Sequence, residues 1–319
     1  MAGLLDADPR AGFDLAAGPS LRLALVQLAS RWFQLVLTHH HAVLDGWSTT
    51  LYLRELFTLY AGINDLTVLD EAVPYADFVA RAAGASRSAA PDQVKGRSLL
   101  GRRRVPASAG LPRELSLEVP PEVTARLSEQ ARPHAVTPAT LIQGLWALMV
   151  GEELGEDTVA FGAGAAGRPP GLPGYDRGVG LLGDTVTTRV SWRPDEPFAR
   201  VLRRLQEQAV GSWEAPDRFR PTCRAGFDTW MVVANYPRFT RLVEEFADGA
   251  LRVAGAVCRE FNHHPLSLMA VPGDRLALHL AHAPEVIEPA RADELAHRLA
   301  LLCARAADGL DQPVRRLAQ

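Results

Sequence analysis

A strand that runs without a break into three consecutive histidines, and then reverses into a helix, constrains this chain more than any other stretch. Phe33, Leu35 and Leu37 alternate as a strand does and lead into Thr38-His39-His40-His41-Ala42-Val43-Leu44-Asp45-Gly46-Trp47-Ser48. Upstream, Leu21, Leu23 and Leu25 alternate in the same way, and the short Ala29-Ser30 break between the two runs predicts a hairpin. Along a strand neighbouring side chains point to opposite faces, so adjacent histidines are expected to diverge. Ser48 is a candidate cap for a following helix whose apolar face is Leu51, Leu53, Leu56, Leu59 and Tyr60, ending at Gly62. The unit is therefore strand, tight turn, helix.

Such a turn has three chemical readings. Histidine is a common transition-metal ligand, but strand alternation separates neighbouring rings and no H-E-x-x-H pair completes a shell around His39, His40, His41 and Asp45. A second reading is a hydrogen-bonded core histidine at a strand end. The third is general-base chemistry, because imidazole titrates nearest neutrality and the helix after Ser48 turns its N-terminal amides toward developing negative charge. Asp45 lies where it can hold the local backbone or bind an arginine, and Gly46 permits close backbone approach. Acyl transfer is the chemistry that this combination suits, with His41 as the candidate base.

The remaining chain reads as a mixed succession of strands and helices, which predicts an α/β fold with a mixed sheet. Strands are expected over Glu114 to Val119, Val186 to Trp192, Phe227 to Asn235, Leu266 to Ala270 and Leu276 to Ala281. Helices are expected from Pro121 to Gln130, from Phe198 to Val210 and from about Pro289, the last with Leu295, Leu299 and Leu302 on one stripe. A further helix through Met149 starts with Thr137 as cap and Pro138 at its first position, and its apolar content predicts burial. Ala82 to Gly110 reads as a connection between two lobes, with Arg102-Arg103-Arg104 as a solvated part of it. Gly162-Ala163-Gly164-Ala165-Ala166-Gly167 has the dinucleotide-site spacing, but Pro169, Pro170 and Pro173 forbid the helix that site requires, leaving a close-packed loop. His263-His264 reads as a structural or surface pair on a strand edge.

Composition excludes several partners. A net charge of −3 from 34 basic and 37 acidic residues leaves no electrostatic footprint for nucleic acid or an anionic membrane. No stretch approaches the length of a membrane span, and no targeting signal is expected. Cys223, Cys258 and Cys303 fall outside any C-x-x-C spacing, which argues against a disulfide framework or zinc site and for a cytoplasmic protein.

His40-His41-Ala42-Val43-Leu44-Asp45-Gly46-Trp47-Ser48 closely resembles the HHxxxDG(WS) motif of nonribosomal peptide synthetase condensation domains, in the chloramphenicol acetyltransferase-like superfamily. The resemblance continues collinearly through Phe13-Asp14-Leu15 with Gly18-Pro19, Tyr75-Ala76-Asp77, Gly167-Arg168-Pro169, Gly180-Leu181-Leu182, Phe227-Asp228-Thr229 and Asn235-Tyr236-Pro237. It implies two chloramphenicol acetyltransferase-like lobes with mixed sheets, residues 1–110 and 111–319, meeting around a tunnel that carrier-protein phosphopantetheine arms enter from opposite faces. The implied reaction joins a donor acyl or peptidyl thioester to the amine of an acceptor aminoacyl thioester. By position, His41 orients or deprotonates the amine, and Gly46 lends a backbone amide near the donor carbonyl. His40 and Asp45 support the site, and Arg168 is the candidate ion-pair partner of Asp45. No tightly bound cofactor or metal is implied. The implied partners are donor and acceptor carrier proteins and neighbouring synthetase domains.

The chain also departs from that pattern. His41 lies close to Met1, whereas family members carry on the order of a hundred residues before it, so the N-terminal lobe is expected to be incomplete: the chain is a fragment, its missing strands come from elsewhere, or it is a shortened relative with altered use. Asp184 stands where the family usually has Asn, and Ala166 where it has Ser. Two other functions are compatible with these departures: a non-catalytic carrier-docking platform, and a stand-alone acyltransferase using a soluble amine or alcohol.

Overall fold

The structure is a computed structural model that describes residues 7–8, 10–61, 66–69, 71, 73–86, 99–100, 105, 110–168, 174–214, 227–234, 251–259 and 263–318. It divides into two compact units: Met1–Val79 with Ala166–Gly183 and Tyr236–Cys258, and Ala80–Ala165 with Asp184–Asn235 and Arg259–Gln319.

In the first unit, β1 (Leu21–Ala29) and β2 (Trp32–His39) form the expected antiparallel hairpin, in register from Leu21 opposite His39 to Ala29 opposite Trp32. One face of this two-stranded sheet lies open, with Leu25 66% and Phe33 52% exposed. The segment before β1 is tied to it by Arg22, whose Nε donates to Asp8 at 2.8 Å and whose guanidinium lies 4.0 Å from the centre of the Phe13 ring. After the histidine turn comes α1 (Gly46–Ala61), which buries Ser48, Thr49, Thr50 and Leu51. Two expectations need correction here. The side chain that caps α1 belongs to Asp45, whose Oδ1 accepts from the Ser48 amide at 2.8 Å, because the chain enters the helix one turn earlier than the Ser48 cap assumed. Tyr60 is 67% exposed and lies outside the buried face of α1. A second helix, α2 (Tyr75–Ser86), extends past Ala82, where an irregular connection was expected. Most of that connection, including Arg102-Arg103-Arg104, lies outside the described residues, as do Gly62, Cys223 and Asn235-Tyr236-Pro237.

The second unit is built on a six-stranded mixed sheet in the order β3-β8-β7-β6-β4-β5. Its strands are β3 (Arg113–Val119), β4 (Thr158–Ala165), β5 (Asp184–Ser191), β6 (Thr229–Val233), β7 (Leu266–Val271) and β8 (Leu276–His282). β6 pairs in parallel with β4 and β7, and every other pair is antiparallel. Alternate strand residues Val159, Phe161, Met231, Leu266, Leu268, Leu278 and Leu280 join one core with the helices, as the period of two requires.

Among the described residues, four helices of more than ten residues pack in this unit: α3 (Pro121–Ala131), α4 (Pro138–Leu154), α5 (Phe198–Glu214) and α6 (Pro289–Ala307). Thr137 caps α4 as expected, accepting from the Thr140 amide at 3.2 Å. α4 is buried nearly all round, with Leu145, Trp146, Leu148 and Met149 at most 1% exposed. Small residues let its neighbours approach: a Cβ on Gly144 would meet Leu202 Cδ2 of α5 at 2.3 Å.

The run from Gly162 to Gly167, expected to be a loop, is mostly strand. Gly162 and Gly164 lie within β4, in register with Thr187 and Thr185 of β5. Their missing side chains have a packing cause, since a Cβ on Gly162 would sit 2.3 Å from the Phe227 ring and one on Gly164 2.9 Å from Val232. His264 stacks on that same Phe227, at 5.5 Å between ring centres, and lies parallel to Trp230.

Truncating Phe161, which is fully buried in this core, is expected to cost about 3–5 kcal/mol. Chemical denaturation of Phe161→Ala against the wild type measures it.

Candidate active site

His40, His41, Asp45, Gly46 and Arg168, the residues singled out from the sequence, all lie in the first unit. β2 ends at His39, so the strand alternation that was expected to separate the histidines stops before His40 and His41, which stand in a turn. That turn closes by the Val43 amide donating to the His40 carbonyl at 3.1 Å. The His40 ring adds a second brace, its Nδ1 accepting from the Ala42 amide at 3.0 Å, which assigns the ring proton to Nε2. Phe13 sets its edge against the same ring at 6.4 Å between centres. His41 lies between these braced positions, exposed, with no hydrogen bond from its ring to a described residue.

Asp45 is the buried anchor, at 5% exposure. Its carboxylate accepts from five N–H donors: Ser48 N at 2.8 Å and Arg168 Nη2 at 3.0 Å on Oδ1, with Arg168 Nη1 at 2.9 Å, Leu182 N at 3.0 Å and Gly183 N at 2.8 Å on Oδ2. Burial by itself would raise the pKa of this carboxyl, but the Arg168 guanidinium and the Ser48 amide outweigh it and hold the group below its ordinary value. Arg168 binds in the two-pronged manner that a guanidinium permits and a lysine does not. Its Nη2 also reaches Ser48 Oγ at 2.9 Å, and its guanidinium lies 5.1 Å from the Trp47 ring.

Sequence reasoning missed how much of the later segment closes on this pair. Ser48 Oγ donates to the Gly180 carbonyl at 2.7 Å and accepts from the Gly180 amide at 3.0 Å. Trp47 Nε1 donates to the Asp176 carbonyl at 2.8 Å, and the Tyr75 hydroxyl to the Leu181 carbonyl at 2.9 Å. Gly167, at φ +60°, has its α-carbon so close to the Leu182 carbonyl that any side chain would collide with that backbone. The pairing of Ser48 and Trp47 with Gly180 and Asp176 had one faint signal in the sequence, the Trp-Ser that follows Gly46. His39, weighed from the sequence as a metal ligand alone, has its Nε2 3.2 Å from Thr49 Oγ1 of α1.

Gly46 opens α1, where the helix leaves the first backbone amides without internal partners. The turn thus offers an exposed imidazole, a helix N-terminus and a backbone clamped by a buried ion pair. Among the described residues no group of three or more His, Cys, Asp or Glu is placed to hold a metal ion.

Comparison with known proteins identifies the class. The Condensation domain family model matches residues 2–318, and the chain belongs to that family. It is 26% identical over 321 residues to surfactin synthase subunit 3 of Bacillus subtilis (strain 168), covering 95% of this chain and 25% of that protein. To bacitracin synthase 1 of Bacillus licheniformis it is 30% identical over 219 residues, which are 65% of this chain and 4% of the relative. The chain therefore spans a small part of the synthetases it matches. Its fold is that of the first condensation domain of the calcium-dependent antibiotic synthetase, with a TM-score of 0.72 and 20% identity over 92% of this chain and 69% of that one. The starter condensation domain of rhizomide synthetase gives 0.74 at 16% identity, over 98% and 75%. The mixed α/β architecture of the chloramphenicol acetyltransferase-like fold is thereby shared.

Removing one partner of the buried pair leaves an uncompensated charge, so Arg168→Ala is expected to destabilise the first unit by about 3–5 kcal/mol in urea unfolding. Because the folded pKa of Asp45 is depressed, its contribution to stability is present above the ordinary aspartate value of about 4 and is lost as pH falls through the lower folded value. Unfolding midpoints followed into acid should show that loss in the wild type and not in Asp45→Asn.

Asp184, in the second unit, behaves in the opposite sense: burial pushes its carboxyl up to about 6, against the Thr185 amide that favours the charged form. A raised carboxyl pKa makes its stabilising effect fullest below the unfolded value near 4 and lost as pH rises through about 6. Asp184→Asn, neutral throughout, is expected to gain stability relative to the wild type between those values and hold the gain above them, read from urea midpoints against pH.

Proposed function

We propose that this chain is an acyltransferase of the amide-forming condensation type, joining a donor acyl or peptidyl thioester to the amine of an acceptor aminoacyl thioester. The observation that carries this reading is the exposed His41 on a turn whose backbone is clamped by the buried Asp45–Arg168 pair, in a chain that belongs to the condensation family. A thioester carbonyl is electrophilic and its thiolate leaves readily, so the task of the protein is to present a neutral amine and to stabilise the oxyanion.

On this reading His41 accepts a proton from the attacking amine, or holds that amine with its lone pair toward the carbonyl carbon. The new C–N bond gives a tetrahedral oxyanion, for which Gly46 at the N-terminus of α1 supplies a backbone amide. Collapse expels the donor sulfur, which takes up a proton, and the product amide remains on the acceptor thiol. Asp45, Arg168 and His40 hold the turn and touch no reacting atom. The substrates are presented on the phosphopantetheine arms of donor and acceptor carrier proteins, which are the partners, along with neighbouring synthetase domains. The chain needs no tightly bound cofactor of its own, and it acts in the cytoplasm. No helix among the described residues is long and apolar enough to cross a membrane.

The test is product formation from purified protein with loaded donor and acceptor carriers, followed by mass spectrometry. His41→Ala is expected to lower the rate by about a hundredfold to ten-thousandfold. Undiminished product from that variant would reject the role of His41. Carrier binding with no product from the wild type would favour a docking platform, and product from a soluble amine or alcohol would favour a stand-alone acyltransferase.

A further inference from the structure

His39 is the member of the histidine run to which no function attaches, and its surroundings hold one proton fewer than their geometry can use. Its Nε2 lies 3.2 Å from Thr49 Oγ1, and its Nδ1 lies 3.4 Å from the His40 carbonyl. Thr49 Oγ1 is also 2.9 Å from the Asp45 carbonyl, one turn back along α1. A carbonyl only accepts, so a bond to His40 requires a proton on Nδ1. In the neutral ring this leaves Nε2 as an acceptor, and the single Thr49 hydroxyl proton must choose between Nε2 and the Asp45 carbonyl. When the ring carries two protons the choice disappears: Nε2–H donates to Thr49 Oγ1 and the hydroxyl turns to Asp45.

We propose that His39 is a positioning residue for the reaction, forming with Thr49 a two-state hydroxyl rotor that holds the His41 turn and keeps it free of positive charge while the ring is neutral. In both states His39 Nδ1–H and the Val43 amide hold the His40 carbonyl, the acceptor that closes the turn around His41; what changes between them is the charge on the ring and the direction of the Thr49 hydroxyl. The Thr49 hydroxyl links the end of β2 to the first turn of α1. In the cationic state a charge appears beside His41 and opposes the proton that His41 must accept from the amine.

The groups that face His39 support the neutral state. Burial lowers the pKa of the ring most, the His40 carbonyl raises it, the neighbouring rings of His41 and His40 lower it, and Asp45 raises it, leaving it below the ordinary histidine value. Just before α1, the charge that acts on His39 is that of Asp45, which is already paired with Arg168. Across β1 its register partner is Leu21, which carries no charge, and the adjacent Arg22 is paired with Asp8.

The inference rests on the condensation reading for its kinetic consequence alone. Its structural part is tested by ¹⁵N ring shifts of the wild-type chain as a function of pH. Expected is a neutral His39 protonated on Nδ1, titrating below the ordinary histidine value. A neutral ring protonated on Nε2, or titration at or above that value, would overturn the rotor.

Its kinetic part is read from kcat/KM against pH with loaded carriers. Protonation of His39 then adds to the protonations that already oppose the reaction, that of the acceptor amine included, so the acid limb of the wild type should be steeper by about 1 in logarithmic slope than that of His39→Gln, which keeps a donor near Thr49 but cannot gain charge. An acid limb of unchanged slope in that variant would sink the proposal. If the wild type makes no product the condensation reading fails, while the ring shifts still decide the assignment of His39.

Discussion

The ion pair between Asp45 and Arg168 is the interaction on which the histidine turn depends. A carboxylate 5% exposed is costly to keep charged, and it persists because five N–H groups converge on it. Two of those donors are backbone amides of Leu182 and Gly183, and two are on Arg168, so one side chain ties together stretches more than 120 residues apart in the sequence. The same carboxylate caps α1. A helix start, a turn and a distant loop are thus one cooperative object, in which losing one donor leaves the others facing an unbalanced charge.

Around that anchor the three histidines divide their work by hydrogen-bonding position. The His40 ring accepts from the backbone two residues on, so it is committed to shaping the turn. The His39 ring sits between β2 and α1, held at both nitrogens. His41 alone presents an exposed ring with no described hydrogen bond, the feature on which its proposed role rests. Neighbouring residues of one type therefore differ in role because the strand ends between the first and second of them.

Much of the second unit was legible in the sequence, for physical reasons that can be named. The period of two marked Leu115 and Leu117, and Leu276, Leu278 and Leu280, as strand residues with one covered face. Thr137-Pro138 marked a helix start because a cap and a proline need no other context. Gly162 to Gly167 was misread because glycine-rich sequence signals a loop locally, whereas the cause of Gly162 and Gly164 is the Phe227 and Trp230 rings that lie over β4, far along the chain. The Ser48 cap was misplaced by one turn for a similar reason. Asp45 and Ser48 both carry capping side chains, and the choice fell to Asp45 once Gly180 claimed the Ser48 hydroxyl.

By itself the sequence determined the strand-turn-helix unit, the alternating and helical patterns of the larger sheet and its helices, and the family, through a set of spaced motifs in collinear order. Only the tertiary structure decided which of those residues touch. That Arg168 reaches Asp45 in two-pronged fashion, that Gly167 must lack a side chain beneath the Leu182 carbonyl, and that one Thr49 hydroxyl is contested by His39 and Asp45 are matters of distances across the fold. Periodicity constrains the direction in which a side chain leaves the backbone. The partner it meets there is set by how the elements close on one another, and for a buried charge that partner decides whether the site can exist at all.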